Sequence, residues 1–233
     1  MTIRNILDTI ISYQSGGVQS DDRRLHPKLI YNTLLGIRST LIVNKINKKQ
    51  LISDWTQQLL PCLKLISVDI SLCPCIPPRG CTVMRSERRI PKFLSSLSYI
   101  AIEGLFTADL ATKFTYTTRS SFNTIKGNKY TNTKIKKFMI VDDYIYVYGD
   151  DIPDVMVLKG ILFDPMKAWE FQSDCSGPGE VSELCASPLD MEFHIDADLQ
   201  DPLIEMTKEK LRLGFNSDKN DIITSNAQED VRK

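Results

Sequence analysis

The sequence predicts an α+β protein: N-terminal helices including one long helix, a sandwich- or barrel-like β-rich middle, and a C-terminal helix followed by an extended arm. Three observations carry this. In Pro27 to Ile46, PKLIYNTLLGIRSTLIVNKI, residues Ile30, Leu34, Ile37 and Leu41 recur at spacings of 4, 3 and 4, the period of one helix face. Between residues 82 and 172, short apolar runs alternate with turn residues. Asp201-Pro202 then opens a second periodic stretch that stops at Gly214. The expected boundaries are a helical part over 1–60, a β-rich domain over 61–172, a connector over 173–198, a helix over 199–215 and a polar arm over 216–233.

Taken in order, residues 2–14 place Ile3, Ile6, Leu7, Ile10 and Ile11 on one face of a short helix, with Gly16-Gly17 as its stop. The linker 18–25 mixes both charge signs. Pro27 suits the first helical position, and Leu35, Ile42 and Ile46 widen the apolar face of the long helix. At 1.5 Å per residue that helix is roughly 30 Å long. Gly36 inside it signals a close backbone crossing or simple tolerance. Gln50 to Leu60 reads as a third helical piece, with Leu51, Ile52, Trp55 and Leu59 on one side.

From Pro61 the period changes to two. Leu63, Leu65, Ile66, Val68 and Ile70 read as a strand, and the prolines of CPCIPPRG (73–80) then forbid regular structure. Further strands are expected at Tyr99 to Ile102, Lys113 to Thr118, Lys136 to Val141, Tyr144 to Tyr148 and Val155 to Phe163, with Asp142-Asp143 as a tight hairpin turn. In the last helix Leu203, Met206, Leu211 and Leu213 are the apolar positions.

Composition bounds the function. The chain has 233 residues, 42% of them hydrophobic, enough for a substantial core. No uninterrupted apolar stretch approaches a membrane span, and no signal peptide is evident, so no membrane partner is expected. Cys62, Cys73, Cys75, Cys81, Cys175 and Cys185 lack paired thiolate spacing, and only His26 and His194 are present to complete a zinc site. They read as free thiols of a reducing compartment.

The net charge of zero conceals an asymmetry. Residues 1–140 hold 21 Lys and Arg against 8 Asp and Glu, and residues 141–233 hold 8 against 21. The two parts therefore carry +13 and −13, which cancel. Opposite charges of this size suit electrostatic docking within one subunit, between copies, or with a partner.

Enzymatic signatures are missing: there is no phosphate-binding loop, no dinucleotide fingerprint, no H-E-x-x-H and no nucleophile elbow. No cofactor is expected. His26 reads as a helix cap or an exposed residue, and His194 in MEFHID as structural. Asp142, Asp143, Asp150, Asp151 and Asp154 would bind a hard cation only if two hairpin ends converged.

Lys113, Arg119, Lys126, Lys129, Lys134, Lys136 and Lys137 form an acid-free basic segment, interleaved with Phe114, Tyr116, Phe122, Tyr130 and Phe138. Such a pattern serves single-stranded nucleic acid, or else strand aromatics facing a core with lysines facing water or an acidic surface. The candidate interface residues are Arg119, Lys126, Lys129, Lys134, Lys136 and Lys137, opposed by those five aspartates.

Several phrases, in order, resemble one family. They are SDDRRLHPKLIYNTLLGIRSTLI with Arg38 near the middle of its helix, LKLISVDISLCP, MRSERRIPKF, DDYIYVYG, KGILFDPMKAWEF, SPLDMEFHIDADLQDPLIEMTKEKL and DIITSNAQED. They resemble virion structural proteins of crAss-like and related tailed phages of Bacteroidetes, specifically the head-to-tail connector ring proteins. The tail departs from that pattern at Thr224-Ser225-Asn226. The resemblance implies a non-enzymatic ring of identical copies between portal and tail, contacting the portal protein or adjacent tail rings, with DNA passing non-specifically through the lumen. It also implies location in the virion, and in the host cytoplasm during assembly. The alternative is a single-stranded nucleic-acid-binding module using residues 113–138.

Overall fold

Alternating burial along residues 58–69 is the starting point of the β architecture: Gln58, Leu60, Leu63, Leu65 and Val68 are buried while their neighbours are not. These residues form β1 (Gln58–Asp69) in the computed structural model, which describes residues 1–14, 26–69, 71, 82–96, 99–118, 121, 136–149, 151–172 and 187–212. The chain divides into two units, residues 1–55 with 187–233 and residues 56–186.

In the second unit β1 is followed by β2 (Thr82–Ser86), the short pair β3 (Ser95–Ser96) and β4 (Tyr99–Ile100), then β5 (Ile102–Thr107) and β6 (Lys113–Tyr116). After them come β7 (Lys137–Val141), β8 (Tyr144–Tyr148) and β9 (Val155–Gly160). Seven of these strands close into a barrel in the order β1-β2-β8-β7-β6-β5-β9. Closure comes from β1, which pairs through Leu60↔Leu158 with β9 and through Leu65↔Ser86 with β2. The β6–β7 pair is parallel and the other barrel pairs are antiparallel.

Side chains of one strand face fill the barrel, as in small closed sheets generally. Leu60, Leu63, Leu105, Phe114, Phe138, Ile145, Met156 and Leu158 are each at most 1% exposed. Two buried polar side chains there are paired. Gln58 Oε1 accepts from the Leu162 amide at 3.1 Å, and Ser86 Oγ accepts from the Ile145 amide at 3.0 Å while donating to the Arg88 carbonyl. Asp164 Oδ1 caps a short helix, α3 (Met166–Gln172), whose Ala168 joins this core. That helix lies inside the stretch expected to be β, and its Asp-Pro start was a readable signal.

The expected third helix over 50–60 does not form. A single 3-10 turn, Asp54–Thr56, precedes β1, and Leu51, Trp55 and Leu59 are exposed instead of sharing a buried face. Pro61 does not end the strand, because the β1–β9 register shifts between Leu60 and Leu63, and Cys62 takes up the bulge with φ 58°. The Asp142-Asp143 turn forms as expected: Val141 pairs with Tyr144, and both aspartates have positive φ, the two-residue hairpin pattern.

The first unit is helical: α1 (Ile3–Gln14), α2 (Pro27–Asn47) and α4 (197–212). Ile3, Ile6, Leu7 and Ile10 are buried on α1, and Ile30, Leu34, Leu35, Ile37 and Ile42 on α2. His26 caps α2, its Nδ1 accepting from the Lys28 amide at 3.2 Å. Helix α4 begins ahead of the expected Asp201, and Leu203, Thr207 and Leu211 form its buried row while Met206 is exposed. Near Met1 the chain is tied to its own residues: the Ile3 amide donates to the Met191 carbonyl and the Phe193 amide to that of Met1. No described helix is long and apolar enough to cross a membrane.

Candidate interaction surfaces

A charged position sits in the apolar register of α2. Arg38 lies four residues after Leu34 and four before Ile42, and it is fully buried. Its Nε donates to the His194 carbonyl at 2.8 Å and its guanidinium lies 5.6 Å from the Phe193 ring. Two turns further on, Lys45 Nζ donates to Asp196 Oδ2 at 2.8 Å and to Asp198 Oδ1 at 2.9 Å. Those bonds, the one to Asp196 foremost, hold the Lys45 ammonium above its ordinary pKa. Asp196 Oδ1 also accepts the Ser53 amide at 3.1 Å.

These partners fix the loop after α2. Lys49 has φ 55°, the Lys49 amide donates to Ile46 and the Gln50 amide to Lys45, the bonding of a Schellman cap with lysine in the left-handed position. His194 Nδ1 meets the Trp55 carbonyl at 3.0 Å. Held at both ends, the loop leaves Leu51 92% and Trp55 71% exposed.

On the barrel, alternate residues of β8 face opposite ways. Ile145 and Val147 enter the core, whereas Tyr144, Tyr146 and Tyr148 belong to a second apolar cluster with Val68, Val83 and Met139. Arg85 lies 4.4 Å and Arg89 5.7 Å from the Tyr144 ring. Buried Arg85 Nε has no hydrogen-bond partner among the described residues. This pairing of cations with an aromatic was missed from sequence; the period-two tyrosines beside MRSERRI were its signal.

Of the predicted interface residues, Arg119, Lys126, Lys129, Lys134 and Asp150 lie outside the described residues, as do Phe122, Tyr130 and the arm 216–233. Lys136 precedes β7 and Lys137 begins it; both are half-buried, with Lys136 Nζ 5.7 Å from the Phe114 ring. Asp142 and Asp143 lie at the opposite end of β7, while Asp151 and Asp154 follow β8. The five residues of β8 hold the two acidic pairs about 15 Å apart along the strand. The aspartates therefore do not converge as a hard cation would require, and no metal-binding group of three ligands occurs among the described residues.

Of the three described aromatics of the basic segment, two turn inward. Phe114 and Phe138 are barrel core, and Tyr116 packs edge-on against Phe138 at 5.7 Å, its hydroxyl pKa pushed up by burial. Phe114 and Phe138 are therefore closed to base stacking, while Tyr116 is half-buried.

Compared with known proteins, residues 5–231 match the sequence model of one family, described as phage tail ring protein 2. No curated protein matches the chain.

Proposed function

The chain belongs to the phage tail ring protein 2 family, a family of bacteriophage tail structural proteins, and from that premise we propose that it forms a homo-oligomeric ring in the head-to-tail connector. Copies of the chain dock on one another and on the portal protein or a neighbouring tail ring, and DNA crosses the lumen without sequence-specific contacts. The protein acts as a scaffold and catalyses no reaction.

The observation that carries this reading is the family match across 5–231. One other supports it. The +13 and −13 parts of the chain suit contacts between unlike surfaces, which repeat from copy to copy and close when the rotation allows. Such charges set register and encounter rate more than affinity. Lys136, Lys137, Asp142, Asp143, Asp151 and Asp154 are the described members of these charged surfaces, and Arg119, Lys126, Lys129, Lys134 and Asp150 complete them.

Quantitative mass spectrometry of nuclease-treated, gradient-purified particles tests the proposal. A fixed ratio of this chain to portal protein is expected, and absence from the particle would overturn it.

A further inference from the structure

Leu51 and Trp55 are displayed on a backbone held by the α2 cap, by Asp196 and by His194. Their exposures of 92% and 71% are the two largest among the exposed large apolar residues described. A loop held in one shape gives up little conformational freedom on docking, and tryptophan is enriched among the residues that dominate interface energy.

Lys48 and Lys49, both exposed, stand at the foot of the same loop. The partner that fits is an apolar surface bordered by carboxylates. The chain itself carries a small patch of this kind, one apolar side chain beside two carboxylates: Asp151 and Asp154 are exposed before β9, and next to them Val155 is 37% exposed. Anchor and receiver are different surfaces, so the contact between copies is heterologous and propagates.

We infer that residues 48–55 are the anchor by which one copy grips the next. Leu51 and Trp55 sit against Val155 of the next copy, and Lys48 and Lys49 face its Asp151 and Asp154. This rests on the ring reading above.

The test compares self-association of the full chain with that of Leu51→Ser/Trp55→Ser, by sedimentation and native mass spectrometry. Association at least tenfold weaker is expected, with an unchanged circular dichroism spectrum and melting temperature because both side chains are exposed. Asp151→Lys/Asp154→Lys should weaken association likewise, and adding Lys48→Glu/Lys49→Glu to that variant should restore it. In assembled particles, a photo-crosslinker at position 55 should join two copies of this chain.

Wild-type rings matched by equally tight rings of the serine variant would overturn the anchor and leave the ring reading standing. Crosslinks from position 55 reaching only a different virion protein would do the same. A wild-type chain present in the tail only as single copies would overturn the ring reading and the anchor together.

Discussion

The Lys45 ammonium lies 2.8 Å from Asp196 Oδ2, joining residues 151 positions apart in the sequence. The side chain of Asp196 is 4% exposed and that of Lys45 12%, so the pair is shielded from water more than a surface ion pair. It also orders the loop that displays Leu51 and Trp55, since the other Asp196 oxygen holds the Ser53 amide.

Lys45→Met leaves the Asp196 carboxylate buried beside an apolar group. A loss of about 2 kcal/mol in unfolding free energy is expected, read from urea denaturation followed by circular dichroism. The pH dependence has a definite sign. Lys45 is raised in the fold from its ordinary value of 10.5, so its stabilisation is complete below that pH and is lost as pH rises through the higher folded value. Wild type should therefore converge on Lys45→Met in strongly alkaline buffer.

Arg38→Ala removes a fully buried side chain and unpairs the His194 carbonyl. The cavity and the lost charge-assisted bond together should destabilise the helical unit by about 3 kcal/mol. Hydrogen exchange would show the loss in α2 and residues 193–196, with the barrel strands still protected.

Replacing Asp142-Asp143 by Asn-Gly supplies residues suited to the observed φ of 52° and 64°. The change should raise stability by about 0.5–1 kcal/mol, visible as a higher melting temperature.

Two glycines should answer alanine in opposite ways. At Gly36 an added Cβ meets nothing within 4 Å, so helix propensity decides and Gly36→Ala should stabilise by about 1 kcal/mol. At Gly160 the Cβ would come 2.7 Å from both the Ala101 carbonyl and the Phe93 ring. Gly160→Ala should destabilise by about 2 kcal/mol, and paired denaturation curves compare the two directly.

Local pattern made much of this fold legible. The period of Ile30, Leu34 and Ile37 located α2, and the run from Tyr144 to Tyr148 is β8 with the bounds expected of it. The error at 50–60 has a physical cause. Leu51, Trp55 and Leu59 keep a four-residue spacing that imitates a helix face, yet all three are exposed. Barrel closure was beyond local pattern, since Leu60 pairs with Leu158 nearly a hundred residues away. At the candidate surfaces, charge was legible but facing was not: Phe114 and Phe138 alternate into the core. Arg38 was noticed for its place in the helix, and its burial follows from sharing the register of Leu34 and Ile42.

The helical unit is assembled from two lengths of chain separated by residues 56–186, and this bears on synthesis. A ribosome finishes the whole barrel segment before it makes His194, Asp196 or Leu203. The closing strand β9 ends at Gly160, 34 residues before His194, which at bacterial elongation rates leaves an interval of about 2–7 s, time enough for a small β domain to fold. During it α2 has emerged with Arg38 and Lys45 lacking their partners, so the nascent barrel is complete first, and premature docking of the helices onto other chains is a hazard for chaperones to manage.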